Sequence, residues 1–317
     1  MNIKKILPPP VKSSLRKLLT LMLSSLFQYR YDSISDKRCS RKVLDNYATI
    51  DFILEHRCSI SRYGDGELAL AMAYKYGEIF HSGFQLYNEA LGKRLVEILD
   101  YRDKAPNHLV CLPACAFSYG TGYLRRPAKD FWNKFTWQYI DKLLEMTANG
   151  QLYGETNISR LYLSHKDKSR CQDFVNSLKR LWNNRDIVFV EGNLTHLGYG
   201  NDLFSNAKSI RRILCPNKNA FDRYNEILEG VISNTTADTL IILALGMTAT
   251  VLAYDLAKEG RQALDIGHVD IEYEWMRMKA TSKVAIPGKF TNEAPGGHDV
   301  SESYPEDFKS QIIANIQ

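Results

Sequence analysis

The sequence lacks the signatures of several common protein classes. Its longest largely apolar stretch, residues 18–29, is shorter than the about 20 apolar residues that a membrane-spanning helix needs. No GxGxxG fingerprint, Walker loop, GxSxG elbow or HExxH motif occurs, which argues against nicotinamide dehydrogenases, P-loop NTPases and the corresponding serine and zinc hydrolases. Internal repeats and low-complexity tracts are absent too, so the 317 residues indicate one large or two small globular domains.

Cysteine usage and charge limit the choice of compartment and partner. The six cysteines form no CxxC pair and accompany no histidine cluster, so neither a zinc site nor a disulfide framework is indicated. Scattered thiols fit a reducing compartment, and we expect a cytoplasmic protein. The formal charge of +5 arises in residues 1–42, which hold ten basic and two acidic side chains. The remainder is slightly acidic, which argues against a nucleic-acid partner.

Residues 1–42 predict an amphipathic helical arm in front of a body formed by residues 43–317. Apolar residues recur every three or four positions from Val11 to Leu26, and small or basic residues occupy the other side. Such a helix can lie on an anionic membrane, here as a peripheral contact on the inner face of the plasma membrane. The alternative is an ordinary helix packed on the body.

The body alternates helical and strand patterns, which is typical of an α/β fold with a largely parallel sheet flanked by helices. Its clearest unit is an apolar strand at 239–245, a glycine turn, a helix at 249–259 and a strand at 262–266. Further strands are predicted at 58–63, 108–112, 160–164, 187–191 and 209–215, and further helices at 43–56, 67–76, 132–146, 172–182 and 220–232.

Ligands of parallel sheets bind beyond the carboxyl ends of the strands. We therefore expect a site where the loops 64–67, 191–202 and 246–250 meet, with the segment 285–297 as a fourth wall.

A predicted strand ends, and a helix begins, in the sequence RYGDGE. Gly64 and Gly66 allow a tight turn and a close backbone approach to a ligand. The carboxylates of Asp65 and Glu67 can converge on one side of the turn, and paired hard oxygen ligands suit Mg²⁺ or Mn²⁺. Arg62 can pair with a phosphate or with one of these carboxylates. The structural alternative makes Asp65 a turn residue and Glu67 a helix-start acid.

The loop 191–202 is polar, contains three glycines and follows an apolar strand, as ligand-binding loops often do. Its candidate ligand-binding residues are Glu191, His196, Asn201 and Asp202, although His196 alone is more often a structural residue.

Two further segments follow the strands of the clearest unit. After Gly246, backbone N–H groups at a helix start can bind an anion with help from Thr248, whereas simple capping by Thr248 is the alternative. The segment 265–275 concentrates acidic, histidine and aromatic side chains. Within it His268 can contact a diphosphate or metal, and Asp270 can act as a base. A solvated acidic helix is the competing interpretation.

Taken together, these segments resemble the GT-D glycosyltransferases, a bacterial family first described as a domain of unknown function. The likeness spans roughly residues 58–295 in the same order, and the arm lies outside it. One departure is Asn193-Leu194-Thr195-His196, where family members often have an acidic residue and a Ser-Arg pair, so acceptor choice is expected to differ. The matching segments are Arg62–Glu67, Val190–Gly192, Gly200–Phe204, Asn206–Arg211, Cys215–Phe221, Leu245–Leu256, Ala263–Trp275 and Gly288–Ala294.

The resemblance implies a Rossmann-like fold and transfer of a sugar, typically glucose, from a UDP-sugar to a glycan acceptor. The acceptor would be lipid-linked or a glycoprotein, in the synthesis of bacterial surface polysaccharide or glycoprotein. The family's DxE motif falls on Asp65 and Glu67 and implies a divalent metal, Mn²⁺ or Mg²⁺. Nucleotide or substrate contacts are implied for Arg62, Gly64, Gly66, Glu191, Gly200, Asn201, Asp202, Asn219, Gly246, Thr248 and His268.

In this interpretation a metal held by Glu67 and Asp65 stabilises the UDP leaving group. An inverting enzyme also needs a base, for which Asp202, Glu191 and Asp270 are candidates, and a retaining mechanism stays open as well. Two other function classes remain open. One is a metal-dependent nucleotide-diphosphate hydrolase that uses the same carboxylates, and the other is a non-catalytic nucleotide- or carbohydrate-binding module.

Overall fold

The fold, seen in a computed structural model, is built around one parallel sheet. The structure describes residues 9–101, 105–301 and 303–317. Within them the strands are β1 Lys42–Val43, β2 Ser59–Arg62, β3 His108–Leu112, β4 Leu152–Glu155, β5 Asp186–Gly192, β6 Ser209–Cys215, β7 Leu240–Ala244, β8 Gln262–Asp265 and β9 Ile312–Asn315.

These strands form one nine-stranded sheet in the order β1-β4-β3-β2-β8-β7-β5-β6-β9, and every neighbouring pair is parallel. The predicted Rossmann-like α/β architecture is therefore confirmed. The helices are α1 Pro9–Asp32, α2 Ser35–Arg38, α3 Asn46–His56, α4 Asp65–Tyr76, α5 Glu89–Leu99, α6 Ala114–Phe117, α7 Arg126–Met146, α8 Cys171–Lys179, α9 Tyr224–Asn234, α10 Met247–Lys258, α11 Val269–Arg277 and α12 Glu306–Lys309.

Local sequence signals set several helix ends. Asp45 begins α3, since its carboxylate accepts the N–H of Ala48 at 2.8 Å. Asn88 begins α5 in the same way through the N–H of Leu91 at 3.0 Å. Gly77 ends α4 in the left-handed region, with φ of 68°. These caps fix where each helix leaves the sheet.

Helices cover both faces of the sheet. On one face α3, α8 and α11 pack around the buried side chains of Trp182 and Trp275. On the other face α4, α5, α7 and α10 share a second apolar cluster, which a third cluster continues beneath α9. Because β5 and β7 are covered on both faces, their sequences are continuous apolar runs rather than alternating ones.

One predicted strand is wrong. Residues 160–164 form a loop because the N–H groups of Tyr162 and Leu163 donate to the carboxylate of Glu272, at 2.9 and 2.8 Å, instead of to a strand. The sheet position is taken by β4, eight residues earlier in the chain. The strands β1, β4 and β9 and the helix α5 were not among the predicted elements.

The predicted arm forms α1, whose residues 13–23 are exposed on every side of the helix and whose last turns meet the body through polar side chains. The hydroxyl of Ser24 donates to Asp130 at 2.5 Å, Gln28 accepts from Asn133 at 3.1 Å, and the buried Tyr31 donates to the carbonyl of Cys115. The apolar stripe points outward, and its members are between 41% and 62% exposed: Leu15, Leu18, Leu19, Met22 and Leu26.

Residues 1–8 of the arm and the side chain of Val11 lie outside the described residues. Over the described ranges, no helix combines the length and the apolarity that crossing a membrane requires.

Candidate active site

The carboxyl ends of β2 and β8 are joined by Arg62 and Asp265. The backbone N–H and Nη2 of Arg62 lie 3.1 and 3.2 Å from the Asp265 carboxylate, and Nε donates to the Asp265 carbonyl at 2.5 Å. Thr250 donates to the same carboxylate at 3.2 Å. Arg62 therefore pairs with Asp265 rather than with a carboxylate of RYGDGE and holds two strand ends together at the floor of the site, while its contact with a phosphate stays a prediction.

Glu67 and Asp65 stand above this floor at the start of α4. Glu67 is partly buried and accepts the backbone N–H of Gly64 at 2.9 Å, which caps the helix. Burial, and then the charge of Asp265, raise the pKa of Glu67 to about 7, and Asp65 contributes to the rise. Asp65 itself is exposed. The two carboxylates thus share one turn, one as a helix cap and the other open to solvent.

Glycine at position 66 brings two helix starts together. A Cβ at Gly66 would lie 2.8 Å from Cε of Met247, the first residue of α10. The N-termini of α4 and α10 therefore lie side by side at the carboxyl edge, and the positive ends of both helix dipoles favour an anion there.

A charged cluster beside this turn was not predicted from the sequence. Arg160 pairs with Glu293, with Nη1 at 3.1 Å from Oε2, and Nε2 of His268 lies 3.0 Å from Oε1 of Glu293. Burial opposes ionisation of Glu293, but His268 and Arg160 hold its pKa far below the usual range. Burial and the charge of Arg160 lower the pKa of His268 to about 4, so its imidazole is neutral at pH 7. Glu293 brings the segment 285–297 to the site.

Each residue predicted as a base forms hydrogen bonds or ion pairs with neighbouring residues. Asp270 is fully buried, with its oxygens 2.7 Å from Nδ2 of Asn201 and 2.6 Å from Nζ of Lys289. Glu191 is also fully buried, where it pairs with Arg212 and accepts the N–H of Leu197 at 2.6 Å. The roles of Asp270 as a base and of Glu191 as a base or substrate contact stay predictions, and in this arrangement both carboxylates are enclosed and bonded to neighbouring segments.

Asp202 is the third base candidate and lies on the surface. Its side chain is 62% exposed, accepts the hydroxyl of Tyr273 at 2.7 Å and lies 3.3 Å from Nζ of Lys179. The Tyr273 hydrogen bond and the Lys179 contact lower the pKa of Asp202, which makes it a weak proton acceptor. Gly200 nearby adopts φ of +77° and faces open space.

The Gly246 turn is covered rather than open. Gly246 has φ of +54°, and a Cβ there would lie 2.2 Å from the ring of Phe84. Asn219 fastens the covering loop, since its N–H donates to the carbonyl of Phe84 at 3.3 Å and its side chain accepts the N–H of Leu86 at 2.8 Å. Asn219 is thus a positioning residue.

Thr248 does not cap α10, so that alternative is wrong. Its side chain is fully buried, and its hydroxyl has no hydrogen-bond partner within the described part of the chain. A buried, unpartnered hydroxyl at the start of α10, next to the Met247 that lies beside Gly66, is a candidate ligand contact.

A second buried acid was also missed by the sequence. Glu155, at the end of β4, accepts the N–H of Asn157 at 2.9 Å and the hydroxyl of Tyr119 at 2.9 Å. Burial raises the pKa of Glu155 to about 7 against these donors. Its contacts with the backbone of Ala114 tie β4 to the end of β3.

Comparison with known proteins identifies the family to which this fold belongs. The family described as the glycosyltransferase GT-D fold matches residues 60–294. The chain belongs to this family. A solved domain, described as highly conserved, of unknown function and with a distinct glycosyltransferase fold, superposes with a TM-score of 0.81 at 37% identity, over 91% of this chain and 100% of that one. A new glycosyltransferase from Streptococcus sanguinis gives 0.79 at 35% identity, over 87% of this chain and all of that one.

Two streptococcal relatives of the GT-D chain carry glycosyltransferase names. Glycosyltransferase GlyD of Streptococcus pneumoniae is 38% identical over 84% of this chain and 32% of its own length. The probable glycosyl transferase Gly of Streptococcus gordonii is 36% identical over 86% of this chain and 39% of its own length. The chain therefore spans between about a third and two fifths of these relatives. The GT-D match includes every predicted site residue, whereas α1 and α2 lie before it.

Proposed function

We propose that this GT-D chain is a metal-dependent glycosyltransferase that moves a hexose, most simply glucose, from a UDP-sugar to a glycan acceptor. The observation that carries the proposal is the carboxylate pair Asp65 and Glu67 at the paired N-termini of α4 and α10, at the centre of the carboxyl edge. Parallel sheets bind nucleotides at this edge, and a diphosphate is the anion that such a site favours.

The donor set fits a divalent cation delivered with the nucleotide. Mg²⁺ and Mn²⁺ prefer oxygen ligands, and Mg²⁺ is usually held by one or two carboxylates while phosphate oxygens and water complete its shell. Among the described residues no three His, Cys, Asp or Glu side chains are arranged to hold a metal alone. Asp65, which is exposed, and Glu67, which would release its proton when the cation binds, would supply the carboxylates. When bound, the cation stabilises the negative charge on the departing UDP.

Neighbouring residues would orient the donor. The unpartnered hydroxyl of Thr248 can donate to a phosphate oxygen at the start of α10. Neutral His268 donates its one N–H, at Nε2, to Glu293, so its Nδ1 can accept a hydrogen bond from a hydroxyl of the donor without adding a charge that Arg160 would repel. Phe84 covers Gly246, so the donor would approach this edge from the Asp65 side or displace the covering loop.

A donor screen tests the proposal. The melting temperature is measured with UDP-, GDP- and CMP-sugars, with Mn²⁺ and with EDTA, because a ligand that binds only the native state raises it. We expect a rise with a UDP-hexose that depends on Mn²⁺. An equal rise in EDTA would contradict the metal, and release of sugar phosphate or UMP without an acceptor would favour the hydrolase.

The arm would place this activity at a membrane surface. The outward stripe of α1 and the nearby cations Arg16 and Lys17 suit the surface of an anionic membrane, where lipid-linked acceptors for surface polysaccharides lie on the cytoplasmic side. A helix packed conventionally on the body would bury its apolar side, whereas the apolar stripe of α1 stays exposed and the body is contacted by Ser24 and Gln28.

A further inference from the structure

An apolar groove runs between α4 and α7 and ends at Asp65. Its volume is about 230 Å³. On α4 its walls come from one helix face, and on α7 from residues spaced four apart, which also share a face. The lining residues are Asp65, Ala69, Met72, Glu78, Ile79, Phe131, Phe135 and Tyr139.

The groove is elongated and has two different ends. The two helices run in the same direction from the carboxyl edge, because the last turn of α4 meets the last turns of α7: Nζ of Lys75 lies 3.2 Å from Glu145. Asp65 and Phe131 therefore lie at the end near the donor site, and the ion pair of Glu78 with Lys142 closes the other. The nine residues from Phe131 to Tyr139 span about 12 Å of helix.

The composition of the walls favours a hydrocarbon chain over a sugar. Between the two terminal acids, the lining offers one polar group, the hydroxyl of Tyr139, which already accepts from Gln138 at 2.9 Å. A sugar buried there would leave most of its hydroxyls without partners, which is costly. Phe131 and Phe135 stack with ring centroids 5.8 Å apart and form a continuous apolar wall. A chain of methylene groups has no polar atoms and so needs no hydrogen-bond partners in such walls.

The groove lies across α7 from the helix α1. That helix packs on the adjacent side of α7, where Arg30 lies 4.1 Å from the ring centroid of Trp137 and Ser24 bonds Asp130. Phe131 is 44% exposed at the open end. A chain leaving a membrane bound by α1 would thus meet the groove after crossing only α7. At about 230 Å³ the groove is smaller than the about 300–1,000 Å³ of whole-ligand pockets, so it suits a segment of a longer chain.

We propose that the α4–α7 groove binds the hydrocarbon chain of a lipid-linked acceptor and thereby brings the acceptor's head group to Asp65. This inference rests on the proposed transferase function and specifies its acceptor class. It also assigns Phe131, Phe135 and Ala69 to acceptor selection, a role that no feature of their sequence indicates.

Binding of decyl β-D-glucoside, below its micelle-forming concentration and without a donor, tests the groove by calorimetry against methyl β-D-glucoside. We expect the decyl compound to bind and the methyl compound to bind at least about tenfold more weakly, since a few buried methylene groups account for that factor. Ala69→Leu, which fills the groove, and Phe131→Ser, at an exposed position, should each weaken decyl binding about tenfold. Met278→Ser, equally exposed at the end of α11, is the matched control and should change nothing.

Three outcomes overturn the inference. Equal binding of methyl glucoside or of a malto-oligosaccharide, weakened by the same variants, would make the groove a glycan site. Loss of decyl binding in Leu18→Ser/Met22→Ser but not in Phe131→Ser would place the chain on α1. Unchanged binding in a folded Phe131→Ser protein would exclude the groove even if Ala69→Leu failed to fold. The Mn²⁺-dependent thermal shift by a UDP-hexose should survive in Phe131→Ser, so failure of the donor proposal is read separately.

Discussion

At the scale of single residues, Glu67 is the side chain on which the proposed metal-dependent transfer depends most. Glu67→Gln keeps the volume and the acceptor for the Gly64 N–H, so the helix cap and the fold should survive. Loss of the charge should slow transfer roughly a thousandfold, since about 1.4 kcal/mol corresponds to a factor of ten. The measurement is turnover on a verified donor–acceptor pair, with Asp65→Asn as a second variant. Near-normal turnover of Glu67→Gln, or wild-type activity that persists in EDTA, would refute the metal role.

Glu155 gives stability a pH dependence of defined sign. Its pKa is raised in the fold from 4.5 to about 7, so its protonated form is the one that folding favours. The stability it contributes is complete below about pH 4.5 and is lost as the pH rises to about 7. Glu155→Gln cannot ionise. The wild-type melting temperature should therefore fall relative to that of Glu155→Gln across this window and stay parallel above it. A constant difference at every pH would contradict the raised pKa.

At the scale of elements, the exposed apolar stripe of α1 leads us to expect binding to anionic membranes. Full-length protein should co-sediment with vesicles containing phosphatidylglycerol, and salt should weaken binding by screening Arg16 and Lys17. Leu18→Ser/Met22→Ser should reduce the bound fraction about tenfold through lost apolar burial, whereas Met278→Ser should not. If the stripe variant instead turned a dimer into a monomer, with no lipid binding by either form, the stripe would be a contact between copies of the chain.

The elements also show what a sequence can predict. Strands β5 and β7 were predictable because they are covered on both faces and read as apolar runs. The strand β4 is four residues long and includes a glycine, so its local signal is weak. Periodicity predicted the helix and the stripe of α1 correctly, but it carries no information about which side meets the body.

Some residues of the candidate site could likewise be predicted from the sequence, and others could not. The turn at Asp65 and Glu67 was predictable because its glycines and acids are adjacent in the chain. Arg160 and Glu293 were not, because they are lone charged residues 133 positions apart that meet only after folding. Glu191 and Asp270 looked like candidate catalytic acids from their loops. Their buried partners Arg212 and Lys289 come from other segments, so the sequence could not show that both acids are enclosed.

At the scale of the whole molecule, strand order decides what the site contains. The neighbours β2 and β8 place Arg62 against Asp265 across 203 positions of sequence. Parallel pairing depends on where each crossover helix returns the chain, and no local pattern encodes this. The first and second halves of the body therefore each supply one side of the site at the carboxyl edge of the sheet, and neither half would hold the proposed site alone.

The exposed thiol of Cys39 provides a natural labelling position next to the arm. Five of the six thiols are buried, and only Cys39 is exposed, with Sγ at 3.2 Å from the carbonyl of Ser118 where the arm meets the body. A maleimide dye applied to the native protein would therefore attach at one position without any engineered substitution. Its fluorescence would report, in real time and in the unmodified sequence, whether the junction below α1 shifts when vesicles or nucleotide are added.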